Sequence, residues 1–271
     1  MSAALKDTPG NGRDDKPARL RVFITGASSG IGLALAEEYL RRGAVLGLVA
    51  RRGDTLAALA ARFPSHSISI YPADVRDAAA LGHAAAQFCA QHGGADVVIA
   101  NAGVSRGALT GHGDLGTFRD VMDINYFGMI ATFEPFVARM VEERHGTLVG
   151  IASVAGIRGL PGSGAYSASK SAAQKYLEAL RVEMRPKGVS VVTIAPGYIR
   201  TAMTAHNPYP MPFLMDADVF AIKSADAIAA KKRFATFPWQ MRVAGAMLHV
   251  VPRWLYDRLL EKAPRKPRAG E

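Results

Sequence analysis

The chain predicts a doubly wound α/β fold built on one parallel sheet, and three observations predict it. Short β-rich runs alternate with helical stretches from residue 20 to about residue 200, the order that places helices on both faces of a parallel sheet. The first strand runs directly into a glycine-rich turn and then a helix. The distinctive polar residues fall where strands end, which is where such sheets gather their ligands.

The elements follow in order. Leu20 to Thr25 is a strand, Gly26-Ala-Ser-Ser-Gly-Ile-Gly32 the turn, and Leu33 to Arg42 a helix that Gly43 caps. Strand, glycine turn and helix together form a Rossmann-like phosphate-binding start: glycines let the backbone approach a pyrophosphate, and the helix N-terminus offers free N–H groups. The loop residues Gly26, Ser28, Ser29, Gly30, Ile31 and Gly32 are therefore candidate cofactor contacts. Val45 to Ala50 is a second strand, Ser67 to Tyr71 a third, Ala95 to Ala100 a fourth, Gly146 to Ser153 a fifth and Ser190 to Ala195 a sixth. Helical stretches cover Thr55–Arg62, Ala78–Gln91, Phe118–Glu143 and the run from Ala172 to Met184. A further strand at Arg233 to Phe237 is a weaker reading. No internal repeat interrupts the pattern.

Arg51 and Arg52 follow the second strand, 51 − 32 = 19 residues past the glycines. An acidic residue near that spacing would hold the ribose hydroxyls of NAD. Two guanidiniums suit a 2′-phosphate instead, so NADP is expected over NAD. Their alternative is a solvated pair before the next helix. Asp74, Asn101-Ala-Gly103, Ser153 and Pro196-Gly197 close the later strands. Each has a structural alternative as a cap or a turn, but their shared place at strand ends points to one site.

Tyr166 and Lys170 stand four residues apart, so on a helix they project from one face. A free phenol titrates near pH ~10 and is a poor acid or base at neutrality; a neighbouring ammonium lowers that value toward working pH.

Composition narrows the function classes. With 271 residues, 49% hydrophobic and 21% charged, the chain can bury one substantial core. The single cysteine, Cys89, allows no internal disulfide and fits a reducing cytoplasm. Residues 1–18 are expected to be a disordered leader, 19–262 a single domain with its substrate lid and C-terminal helices at about 196–262, and 263–271 a basic tail. The net charge of +10, from 33 Lys and Arg against 23 Asp and Glu, suits nucleic acid, an anionic cofactor or an acidic membrane surface, but much of the excess lies late in the chain and is read as a solvated basic tail. No zinc-finger spacing and no aromatic-rich RNA motif accompany it, so nucleic acid is not expected as a partner. No His/Cys/Asp cluster suggests a metal.

Taken together, these residues resemble the short-chain dehydrogenase/reductase family in its shorter, single-domain branch, over residues 20 to about 201. The resemblance rests on Thr25-Gly26-x-x-x-Gly30-x-Gly32, Asp74, Asn101-Ala-Gly103, Asn125, Ser153, Tyr166-x-x-x-Lys170 and Pro196-Gly197, with 166 − 153 = 13 residues between the serine and the tyrosine. It implies that Tyr166 exchanges a proton with the substrate oxygen and that Ser153 holds and polarises the carbonyl. It implies that Lys170 lowers the Tyr166 pKa and holds the nicotinamide ribose, and that Asn125 bends its helix and supports a proton-relay water. Asp74 and Val75 would then meet the adenine, Thr201 the nicotinamide side, and Asn101, Ala102, Gly103, Pro196, Gly197 and Ile199 other parts of the cofactor. Alanine at position 100 replaces an asparagine that the family often has.

The C-terminal part departs further. A glycine-rich end that supports tetramers in many relatives is missing, so a homodimer through the Phe118–Glu143 and Tyr166–Met184 helices is expected. Val243 to Val251 is too short an apolar run to cross a bilayer. Flanked by Trp239, Trp254, Arg242, Arg253, Arg258 and Lys262, it either packs on the cleft or a partner subunit or lies in a membrane interface. The lid, Tyr198 to Met215, is rich in Met and aromatics, which suits an apolar, bulky carbonyl or alcohol; His112 and His206 are read as loop polars. The leading reading is an NADP-dependent oxidoreductase on a carbonyl/alcohol pair, against a non-catalytic NADP-binding sensor or scaffold. A nucleotide-sugar epimerase would want a T-G-x-x-G-x-x-G loop and a longer C-terminal domain.

Overall fold

The computed structural model describes residues 19–205, 207, 209–263 and 265–268. The expected leader, His206 and part of the basic tail lie outside the described residues. Six strands fall where the alternation put them: β1 (Arg21–Thr25), β2 (Val45–Ala50), β3 (Ile68–Pro72), β4 (Val97–Ala100), β5 (Thr147–Ile151) and β6 (Ser190–Pro196). Two-residue strands β7 (Ile199–Arg200) and β8 (Met215–Asp216) pair with each other and pinch the lid at its base. The weakly read strand is real: β9 (Phe234–Phe237) pairs with β6 at the sheet edge.

The helices are α1 (Gly30–Arg41), α2 (Gly53–Ala61), α3 (Ala78–His92), α4 (Leu115–Met122), α5 (Gly128–Glu142), α6 (Gly164–Met184), α7 (Ala217–Ala229), α8 (Trp239–Val250) and α9 (Arg253–Leu260). The main sheet has the order β3-β2-β1-β4-β5-β6-β9 and every pairing in it is parallel. Helices cover both faces, which is why the strands read as nearly unbroken apolar runs. One core sets Leu35, Leu56 and Phe220 against Ile24 and Leu48. The other sets Phe88, Phe133 and Leu177 against Phe23 and Val98, with Phe23 packed against Phe88 and Phe136 at ring-centre distances of 5.5 and 4.9 Å.

Two readings need correction. The helical stretch expected over Phe118–Glu143 is divided where the resemblance implied a bend: a π-helical turn, Asp123–Phe127, holds Asn125 and separates α4 from α5. Gly128, just past it, packs so tightly on Val75 that a Cβ there would stand 2.7 Å from its side chain. Helix α6 begins at Gly164, so Tyr166 and Lys170 occupy its first two turns, as their shared face required. The basic tail, expected to be solvated, lies along the loop after β4: Arg268 pairs with Asp114 at 2.9 Å and Lys266 donates to the Ser105 hydroxyl at 2.8 Å.

Candidate active site

The chain runs from β1 outward to β3 and then returns to place β4 on the other side of β1. The loops after β1 and β4 meet at this reversal. A Cβ on Gly26 would stand 2.7 Å from the Ala102 Cα, and one on Gly32 would collide with the Gly26 carbonyl oxygen and the Asn101 amide. Glycine is required because backbone sits where a side chain would be, and Gly26 and Gly30 also hold φ of +70° and +56°. Asn101 ties the junction by donating from Nδ2 to the Thr25 and Gly26 carbonyls at 3.0 and 3.2 Å.

A cleft of about 520 Å³ opens over this junction. Because β2 and β3 lie to one side of β1 and β5 and β6 to the other, its two ends differ in chemistry. Arg51, Arg52, Asp74 and Val75 line it beyond β2 and β3; Ser153, Tyr166 and Lys170 line it beyond β5. Gly26, Ser28, Ser29, Gly30, Ile31, Asn101, Ala102, Gly103, Pro196, Gly197, Ile199 and Thr201 complete the wall. Of the residues singled out in the sequence, Gly32 and Asn125 lie behind that wall.

Ser29 precedes α1 without making a side-chain cap bond, so the first N–H groups of a twelve-residue helix are left for an anion beside the cleft. With two arginines further along, this donor set fits a phosphate-bearing dinucleotide. Arg76 grips the Asp74 carboxylate at 2.7 Å, and this bond, helped by Arg51, holds Asp74 below the usual carboxylate range. Arg76 escaped the sequence reading because it contacts no strand end itself; it acts on Asp74 two residues away.

At the other end, the Tyr166 hydroxyl lies deep although the residue as a whole is only partly buried. Burial pushes its pKa up, with the Ser153 hydroxyl pulling the other way. Lys170 Nζ donates to the Ile151 carbonyl at 2.8 Å and stands 5.9 Å from the Tyr166 ring centre. Burial presses on the ammonium too and pushes it down to about 8.

Asn125, fully buried in the π-helical turn, uses its amide to hold the loop after β4. Its Oδ1 accepts from the Val104 N–H at 2.8 Å, and Nδ2 donates to the Val104 carbonyl and the Ser169 hydroxyl, both at 2.9 Å. It lies close behind Lys170: a Cβ on Gly103 would stand 3.2 Å from Asn125 Oδ1 and 3.5 Å from Lys170 Nζ.

A sequence profile described as short chain dehydrogenase matches residues 21–210. The chain belongs to the short-chain dehydrogenase family. An uncharacterised oxidoreductase of Myxococcus xanthus (strain DK1622) is 38% identical over 238 residues, 87% of this chain and 94% of that protein. An uncharacterised oxidoreductase of Mycobacterium tuberculosis (strain ATCC 25618 / H37Rv) is 34% identical over 227 residues, 82% of this chain and 89% of that protein. Mouse dehydrogenase/reductase SDR family member 7B is 35% identical over 191 residues, 68% of this chain and 59% of that protein. Among solved structures, a short-chain dehydrogenase from Streptomyces avermitilis superposes with a TM-score of 0.78 at 25% identity, covering 90% of this chain and 97% of its own. The NADP-bound structure of ElxO superposes at 0.73 with 24% identity, over 80% and 96%, and shares the fold.

This short-chain dehydrogenase is thus an oxidoreductase of a family that works with nicotinamide dinucleotides. The segment between β6 and β8 adds residues that the sequence reading passed over. Thr204 Oγ1 donates to the Ile199 carbonyl and accepts from the Thr201 N–H at 3.0 Å, fixing the turn that sets Thr201 opposite Gly30. The paired threonines three residues apart were the available signal. Tyr209, in the same segment, has its pKa raised by burial first and then by Tyr198 and Tyr166 nearby.

Proposed function

We propose that the protein is an NADP-dependent oxidoreductase that interconverts a ketone or aldehyde and its alcohol on an apolar, bulky substrate. One observation carries the reading: a single cleft joins the arginine pair Arg51 and Arg52 to the group Ser153, Tyr166 and Lys170. The glycine turn and the α1 N-terminus receive the pyrophosphate, and the two guanidiniums receive the 2′-phosphate. The cofactor supplies the hydride when bound.

The protein's own groups handle the oxygen and the proton. The Ser153 hydroxyl donates to the carbonyl oxygen, leaving its carbon electrophilic. Tyr166 delivers its proton to that oxygen as negative charge develops on it, so carbonyl plus hydride plus proton gives the alcohol. Lys170 holds the nicotinamide ribose beside the phenol, and Asn125 positions the wall behind both. A non-catalytic NADP-binding role is the competing reading, and the retention of Ser153, Tyr166 and Lys170 on one wall argues against it.

The test is NADPH oxidation with a panel of apolar ketones and aldehydes by the wild type and Tyr166→Phe. The expected result is turnover that falls by about a thousandfold in the variant, with NADPH fluorescence binding retained. Turnover that survives the substitution would sink the assignment of Tyr166, and NADPH binding without any turnover would favour the sensor reading.

A further inference from the structure

Helix α8 carries its apolar stripe outward. Trp239, Val243, Met247 and Val250 follow one another at spacings of four, four and three, which puts them on one face. Their exposures are 67%, 50%, 64% and 77%. The inward side makes the packing contacts: Gly245 is buried against Ile157, and Met241 lies against Gly197. Trp254, the second residue of α9, is also exposed, at 70%.

This face is held rigidly from below. Arg158 donates to the Leu248 and Val251 carbonyls at 2.9 and 3.0 Å, its guanidinium lies 4.1 Å from the Tyr256 ring centre, and the Tyr256 hydroxyl donates to the Gly159 carbonyl. The stripe is therefore a fixed feature of the surface rather than a loose end.

The charges around it select the occupant. Arg242, Arg253, Arg258 and Lys262 are exposed in this segment against the acids Asp257 and Glu261. A second copy seated on the same patch across a two-fold axis sets these cations against their own images, which opposes association. An anionic lipid surface meets them with opposite charge. Indole rings at Trp239 and Trp254 suit the headgroup boundary, where an apolar ring with one polar edge is best solvated. Among the described residues no helix is long and apolar enough to cross a membrane, so the contact is with the surface of a bilayer.

We propose that α8 and α9 dock the protein on an anionic membrane surface, with Trp239, Val243, Met247, Val250 and Trp254 entering the headgroup boundary and the flanking cations meeting lipid phosphates. The docking face adjoins the cleft, because Gly197 on the cleft wall packs on Met241 of α8. The proposal rests on this surface alone and stands or falls independently of the reaction.

The experiment is sedimentation of the full chain with vesicles of phosphatidylcholine, with and without about 30% phosphatidylserine. Binding to the phosphatidylserine vesicles is expected at low salt and is expected to fall steeply at about 0.5 M salt. Arg242→Ser and Arg258→Ser are each expected to weaken it about fivefold, and Trp239→Ser with Met247→Ser about tenfold or more. NADPH binding should be unchanged in all of these variants, since none lies in the cleft. Absence of pelleting at low salt overturns the proposal. Full pelleting of the Trp239/Met247 double variant also overturns it, since charge alone then holds the protein. So does a wild-type dimer that this double variant converts to monomer without any vesicle binding, which assigns the face to a second copy.

Discussion

Lys170 Nζ reaches the carbonyl of Ile151, the last residue of β5, at 2.8 Å, inside a site where the lysine is only 4% exposed. The chain thus carries an ammonium into its interior and satisfies it with backbone at a strand end. Burial leaves its pKa near 8 against a usual 10.5. Between those two values the unfolded chain holds a proton that the folded chain has released, so stability rises with pH in that window. Lys170→Met has no such proton. The wild type is expected to gain stability relative to this variant as pH rises from about 8 to about 10.5, in urea titrations at stepped pH. A constant difference across the window contradicts the placement of the ammonium.

Arg51→Ala combined with Arg52→Ala is expected to raise the NADPH dissociation constant by roughly a hundredfold, from the loss of charge-assisted bonds to phosphate. NADH affinity should change by no more than a few fold. Fluorescence titration with both cofactors reads the ratio, and equal loss for the two would mean that the arginines do not read the 2′-phosphate.

Gly32→Ala forces a methyl into the Gly26 carbonyl and the Asn101 amide. The expected cost is about 3 kcal/mol, in the range of overpacked cores, with weaker NADPH binding because the glycine loop itself must move. Thermal unfolding with and without NADPH checks both parts. A variant as stable as the wild type would mean that the two loops have room that their packing denies.

Asn125→Ala removes the acceptor of the Val104 N–H and the donor to the Ser169 hydroxyl inside the core. The expected loss is about 2 to 3 kcal/mol, the cost of leaving buried polar groups unpaired. If Asn125 positions the wall, the activity lost should exceed what unfolding at the assay temperature explains.

Arg158→Ala frees the Leu248 carbonyl of α8, the Val251 carbonyl just past it and the face of Tyr256 at once. Helices α8 and α9 should then exchange amide hydrogens faster than the central sheet, which is expected to keep its protection. Uniform acceleration throughout the chain would show instead that the segment and the sheet unfold together.

Much of this protein was legible without coordinates, and the reasons are local. A strand buried on both faces must be apolar, so Val97-Val-Ile-Ala100 announces itself. A loop in which backbone touches backbone must use glycine, so Gly26 and Gly32 mark the junction of β1 with β4. The spacing of Tyr166 and Lys170 requires a helix, and α6 supplies one. What stayed hidden depends on neighbours far along the chain. The resemblance implied a bend at Asn125, but not that it is a π-helical turn over Asp123–Phe127 in which Asn125 bonds to Val104, 21 residues away, and Gly128 fits against Val75. No spacing within residues 118–143 encodes that contact.

The sequence by itself determined the alternation of strands and helices, the phosphate loop, the arginines beyond β2 and the family to which the chain belongs. Only the tertiary structure decided how deeply Tyr166 and Lys170 are buried and what faces each of them, because burial depends on every element packed around the cleft. It also decided the orientation of α8. Periodicity defines an apolar stripe, but whether the stripe faces core or solvent depends on what packs beneath the helix, here Ile157 and Arg158 from the loop after β5, with Tyr256 of α9 bracing Arg158.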